Sequence, residues 1–251
     1  MSIALILLLN LAVGVCIGLT GIAGFLLPMF YTGFLGMPAA EALALSFSAF
    51  LISGILGSVT YYKEGNLEIR PAVVLSAGSL LGALAGVRVN LLIPEDVMQI
   101  ILYVVVLVSG ISILLRSGGK EGKQGNPAAL SRGRLVFYFL LGIVTGAVCA
   151  ASGAGGPVLV MPLLTLLGFP AHTAVGISLF DSIFIALPAA AGYLWHGAGE
   201  QEMFLLLIPV LIAHGIGVAV GSKNAKKIDQ TALKRIVAVG SIAIALVKLL
   251  G

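Results

Sequence analysis

Few side chains in this 251-residue chain can do chemistry, and those that can lie inside apolar runs. Ser152 sits in Cys149-Ala-Ala-Ser-Gly-Ala-Gly-Gly-Pro157, and Thr20 sits in Gly18-Leu-Thr-Gly-Ile-Ala-Gly24, 132 residues earlier. Asp181 falls near the middle of a third apolar run and His214 in the next. Two chemistries fit these residue types. One is nucleophilic: Ser152 with Asp181 and His172 or His214 supplies the residues of a serine hydrolase. The other is recognition. Hydroxyls and free backbone N–H groups at a break in an apolar helix hold an anion without lysine or arginine. Thr20 stands where Ser152 stands but has no histidine in a matching place, which favours recognition.

The segments that carry these residues belong in a bilayer. The chain is 59% hydrophobic and 10% charged, against about 25% charged for soluble domains. Residues 3–35 and 135–168 are longer than one plain span, since about 20 residues suffice. The glycines near 21–24 and 153–156 divide each into two short pieces. Plain spans are expected at 38–60, 72–92, 97–115, 170–195, 203–222 and 231–250. The apolar N-terminus lacks a basic n-region, so it reads as a retained span and not a signal peptide. Residues 116–134 form a glycine-rich, charged, solvated linker. Cys16 and Cys149 make no disulfide framework and read as small buried hydrophobes. Both lie close to the breaks, without an activating neighbour.

The halves repeat. With an offset of 132, Gly14, Gly21, Gly24, Met29, Pro38, Ser46 and Tyr61 fall on Gly146, Gly153, Gly156, Met161, Pro170, Ser178 and Tyr193. An offset of 135 then carries Gly82, Gly86 and Arg88 onto Gly217, Gly221 and Lys223. The block Leu-Gly-x-Pro-Ala-x-x-Ala-x-x-x-Ser occurs at 35–46 and at 167–178. If each broken segment enters and leaves on one side, each half crosses three times and the halves are inverted. The turns at 61–71, 116–134 and 223–235 then share a face and hold 12 of the 14 Lys and Arg, as the positive-inside rule requires. Both chain ends would lie outside. The expected fold is therefore an all-α integral membrane protein of two inverted-topology repeats, each a broken, re-entrant first helix plus three transmembrane helices. Residues 1–115 form the first repeat, 116–134 a cytoplasmic linker, and 135–251 the second repeat.

Paired interrupted segments point to a transporter's binding site. A small oxyanion is expected between Thr20, Gly21 and Gly24 on one side and Ser152, Gly153, Gly155 and Gly156 on the other. Ser46 and Ser178, with Ser48 and Ser182 nearby, offer further donors. Asp181 is the deep carboxylate, and such groups are functional by default. It is the proton-coupling candidate, with His214 as its partner. His172 is expected at an interface, and Arg88 snorkels to the surface.

The paired glycine-rich breaks, the Leu-Gly-x-Pro-Ala block, Tyr61 and Tyr193, and the basic central linker resemble the TauE/SafE family of sulfite and organosulfonate exporters. The resemblance covers nearly the whole chain. It implies an inner-membrane permease of bacteria or archaea for sulfur-containing anions such as sulfite or sulfoacetate. The two breaks differ, since Ile22-Ala23 stands where the second repeat has Ala154-Gly155. An inside-negative potential favours exit of each negative charge by about 2.3 kcal/mol per 100 mV, so a monoanion leaves without a coupling ion. The alternatives are a cation or metal transporter, which lacks a carboxylate ring here, and the intramembrane serine hydrolase. The partners implied are a small anion, protons and the lipid bilayer. No cofactor, metal or nucleic acid is called for. The coupling ion, the direction and the oligomeric state have no signature in the sequence.

Overall fold

The computed structural model describes residues 3–21, 23–116, 131–196 and 201–224, together with 235, 238–239, 242–243, 245–247 and 249–250. Most of the linker, Ile22, and Lys226, Lys227 and Lys234 of the basic run lie outside the described residues. Among the described residues all regular structure is helical. In chain order these are α1 (Ile3–Thr20), a 3-10 turn (Ala23–Phe25), α2 (Leu26–Gly33), α3 (Ala39–Lys63), α4 (Ile69–Leu92) and α5 (Glu95–Arg116). After the linker come α6 (Arg132–Ser152), α7 (Gly156–Leu166), α8 (Ala171–His196) and α9 (Gln201–Asn224). Helices α1, α3, α4, α6, α8 and α9 are long and apolar enough to cross a membrane.

Local chemistry places the ends. Gly21 (φ +74°) and Gly153 (φ +75°) take the left-handed conformation just past α1 and α6, where a side chain would be strained. Pro38 precedes α3, and Glu41 lies in its first turn, next to the positive end of the helix dipole. Pro157 is the second residue of α7, where a missing N–H leaves no intrahelical bond unmade.

The broken segments are not two short pieces. In each, a long helix precedes a short one: α1 has 18 residues and α2 has 8, and α6 has 21 and α7 has 11. At 1.5 Å per residue, α1 and α6 are roughly 27 and 32 Å long. The glycines that end them lie late in the apolar run, so the second limb is the short one.

Packing rests on close crossings at glycine. A Cβ on Gly78, Gly82 or Gly86 of α4 would collide with the backbone of Phe139, Ile143 or Ala147 of α6. A Cβ on Gly217 or Gly221 of α9 would collide with the backbone at Leu11 or Val15 of α1. The same offsets relate the two crossings: Gly82 meets the Ile143 carbonyl and Ala147 nitrogen, and Gly217 meets the Leu11 carbonyl and Val15 nitrogen. Residue numbers rise together along both pairs, so α4 runs parallel to α6 and α1 to α9. Helices α3 and α8 run antiparallel, because Gly54 lies at Leu179 and Ile183 while Gly176 lies at Tyr61 and Asn66. These two helices form the centre, with Phe47 stacked on Tyr193 at 5.8 Å between ring centres. Outward rows such as Leu81 and Leu84 of α4, or Leu205, Ile208 and Ile212 of α9, are exposed and suit lipid.

Without a strong hydrophobic drive between helices in lipid, van der Waals contact at small residues holds such crossings. Gly82→Ala is therefore expected to destabilise the protein by about 1–3 kcal/mol or more, read as a lower thermal midpoint in detergent. Gly133→Ala, where no heavy atom lies within 4 Å, is expected to melt as the wild type does. Equal midpoints for both would contradict the α4–α6 crossing.

Candidate functional site

Both breaks end their first helix in the same way. At the first, the Thr20 hydroxyl donates to the Cys16 carbonyl (2.8 Å) and the Gly21 N–H to that of Ile17 (2.7 Å). At the second, the Ser152 hydroxyl donates to the Val148 carbonyl (2.7 Å) and the Gly153 N–H to that of Cys149 (2.9 Å). Each break hydroxyl thus donates back to its own helix. The second break carries two left-handed glycines, Gly153 and Gly155. Gly155 (φ +74°) precedes α7, and three side chains hold the carbonyls around it. Tyr193 Oη donates to Ala150 (2.9 Å), Asn90 Nδ2 to Ala151 (2.6 Å), and the Cys149 thiol to Gly155 (3.4 Å). Helix ends leave carbonyls unpaired, and at membrane depth every such group needs a partner.

The two breaks meet at one small cavity. The first supplies Gly21 and Gly24, the second Gly155, Pro157 and Val158, and the central helices supply Phe50, Ser53, Leu179 and Ser182. Phe50 and Ser53 lie at the middle of α3, and Leu179 and Ser182 near the middle of α8. The cavity measures about 10 Å³, room for about one water. The Phe50 ring lies against both Gly24 and Gly155: a Cβ at either would sit 3.0 or 3.4 Å from it. The start of α7 packs on Ser182, whose hydroxyl would lie 2.8 Å from a Cβ at Gly156. No basic side chain lines this space, and α7 begins beside it. A second cavity of about 20 Å³ lies between Ala151 and Ser152 of the second break, Asn90, and the facing parts of α2 and α3.

Of the residues expected at the site, Gly21, Gly24 and Gly155 line the cavity, and Gly156 opens α7 beside it. Gly153 packs against Leu43 and Pro28, and Ser152 faces the second cavity. Thr20 is buried without lining either. Ser46 and Ser178 are fully buried, donating to Ala42 (2.6 Å) and Val175 (2.9 Å) in their own helices. Asp181 and His214 are both fully buried but not paired. Asp181 faces Ser76 and Ser79 of α4, yet neither of its oxygens has a hydrogen bond of standard geometry. His214 bonds Ser53 Oγ through Nε2 (2.6 Å) and the Asn10 carbonyl through Nδ1 (3.2 Å). His172 and Arg88 are exposed. Among the described residues no three His, Cys, Asp or Glu side chains come together as a metal site.

Sequence reasoning missed Phe50, Ser53 and Asn90. Ser53 follows Ser46 by seven residues, two turns along one face of α3, and that spacing was available as a signal. Asn90 had a weaker one: an amide near the end of a span otherwise apolar. Phe50 had none, since it is one aromatic among many apolar residues.

Comparison with known proteins agrees with this architecture. Residues 6–247 match the family described as Sulfite exporter TauE/SafE. The chain is 26% identical over 234 residues to the probable membrane transporter protein YdhB of Bacillus subtilis (strain 168), covering 92% of this chain and 93% of that one. No solved structure matches. Spans long enough for a bilayer, glycine-held crossings and paired breaks run the length of that match, and the chain belongs to the TauE/SafE sulfite exporter family of membrane transporters.

Proposed function

We propose that this protein carries small sulfur-containing anions, such as sulfite or an organosulfonate, out across the cell's inner membrane. The observation that carries this reading is that the two breaks, far apart in sequence, line one cavity at the middle of α3 and α8. The substrate class is taken from the family's description. The ligand's sign follows from the start of α7 at the cavity, with no carboxylate among the lining residues. Gly21, Gly24, Gly155 and Gly156 form the binding backbone, and Thr20, Ser152, Gly153, Ser46 and Ser178 shape it from behind. The cavity is smaller than any oxyanion, so entry requires the Phe50 ring to turn away from Gly24 and Gly155. Ser152 bonds to Val148 and Ala154 and to no histidine, which gives the hydrolase reading no support.

The proposal includes inverted repeats, residues 1–115 and 135–251, about a cytoplasmic linker at 116–134. Helix directions support it. If α3 and α4 form a hairpin, and α8 and α9 another, the parallel and antiparallel pairs make α1 and α3 point one way and α6 and α8 the other. The turns after α3 and α5 then share the basic face. Asp181 is proposed as a proton carrier. A buried carboxylate without a partner is too costly to hold as a bare charge, and Ser76 Oγ beside it also lacks a partner.

In liposomes, rapid jumps of sulfite, an organosulfonate or sulfate are expected to drive a saturable charge movement that acetate does not. Gly155→Leu, which fills the cavity and strains a left-handed backbone, is expected to lower it at least about 100-fold. Folded wild-type protein that moves none of these anions, by current or by isotope flux, would sink the proposal.

Topology has its own check. Single cysteines at Glu64 and Gly133 are expected to label from one side of the membrane and one at Leu92 from the other. Labelling of 64 and 133 from opposite sides would rule out the inverted arrangement.

A further inference from the structure

The contacts of Ser53 allow its single proton to be followed. Ser53 lines the cavity, and its hydroxyl oxygen lies 2.6 Å from His214 Nε2 and 3.1 Å from the Ala49 carbonyl. A hydroxyl donates once and accepts twice. His214 Nδ1 faces the Asn10 carbonyl at 3.2 Å, and a carbonyl can only accept, so Nδ1 carries a proton. With a neutral ring, Nε2 is then bare and must accept the Ser53 proton. From Ser53 the cavity then meets only oxygen lone pairs, which repel an anion. With a protonated ring, Nε2–H donates to Ser53, and the Ser53 O–H is free to turn to Ala49 or into the cavity.

We propose that Ser53 is an anion-binding hydroxyl of the cavity and that protonation of His214 switches it from acceptor to donor. The inference rests on the anion-carrier reading above and gives it a coupling device. A proton from solvent joins His214 as the anion enters, and both leave again on release. Each stabilises the other by charge, in a region where charges interact strongly, and the effect is reciprocal.

The surroundings suit a switch. Helix α1 brings Asn10 and Gly14 to His214, and α3 brings Ser53, Ala49 and, beside Gly215, Ile52 and Leu56. Among the described residues no charged side chain acts on the ring. The titratable Tyr31 hydroxyl is reached only through Asn10, whose Nδ2 donates to it at 2.5 Å. The repeat partner of His214 is Ser79, whose hydroxyl donates to the Gly142 carbonyl at 3.2 Å, just as His214 does to Asn10. Asn10 and Gly142 are themselves repeat partners. One slot of the pair therefore titrates and the other does not.

The test uses purified protein in detergent with sulfate and methanesulfonate, whose charges stay constant from about pH 5.5 to 8. Affinity for either anion is expected to fall as pH rises, by up to about tenfold per unit. Up to one proton should be taken up per anion bound, read with an indicator in weak buffer. His214→Gln keeps an amide that donates to Ser53 at every pH, so the part of the slope and of the proton uptake that His214 supplies is expected to be lost, leaving only what Asp181 adds. Ser53→Ala is expected to bind more weakly, with the same loss of slope. Anion binding by the wild type with no proton uptake, or the same slope in His214→Gln, overturns the switch and leaves the anion site standing. No binding of either anion at any pH overturns the anion-carrier reading and the switch with it.

Discussion

Backbone that leaves its helix inside an apolar interior must still find hydrogen-bond partners, and the structure depends on how the two breaks meet that demand. Water supplies the partners in soluble proteins, but a bilayer core offers none. Here each break is closed first from within, by a glycine N–H and a hydroxyl that turn back onto the last carbonyls of α1 and α6. At the second break more distant groups also take part. Asn90 reaches it from α4, Tyr193 from α8 and the Cys149 thiol from α6 itself. A buried carbonyl left unpaired costs about 1–3 kcal/mol, so three such bonds decide whether a gap of this length persists. The hydroxyls that look like ligand donors are part of this closure, which leaves the backbone beyond them free for other work.

The second constraint is proximity. Glycine lets α4 lie on α6, and α9 on α1, at backbone contact. The central pair, α3 and α8, is held between these two crossings. Because the crossings recur with the same offsets, each half contributes its break to the other's crossing partner, and the breaks converge on the centre. Gly82 and Gly86 recur in the repeat as Gly217 and Gly221, while two buried polar positions differ. Ala49 stands opposite Asp181, and Ser79 stands opposite His214.

Much of this was legible in the sequence because it depends on local pattern. Apolar runs of span length, left-handed glycines, Pro38 ahead of α3 and the two offsets are all readable within a window of residues. Gly78, Gly82 and Gly86 recur every four residues along one face of α4, a spacing that suits a close crossing, and they pack as one. The family and the plain spans at 38–60, 72–92, 170–195 and 203–222 were therefore anticipated; 97–115 is helical as α5, and the span expected at 231–250 lies largely outside the described residues. The partners were not, because they are long-range. His214 was read beside Asp181 from residue type alone, but it lies against α1 and α3, where residues 10 and 53 reach it. Asn90 and Ala151 are 61 residues apart in the chain. The proportions of the broken segments were also missed, since a glycine cluster marks where a helix stops and not how far its successor runs.

The small size of the central cavity has a consequence for the cell's energetics. A file of ordered water would conduct protons whether or not substrate is present, and would drain the membrane potential. Phe50, wedged between Gly24 and Gly155 in a space for about one water, interrupts any such file. Apolar contact at a single ring thus closes the space between the two breaks.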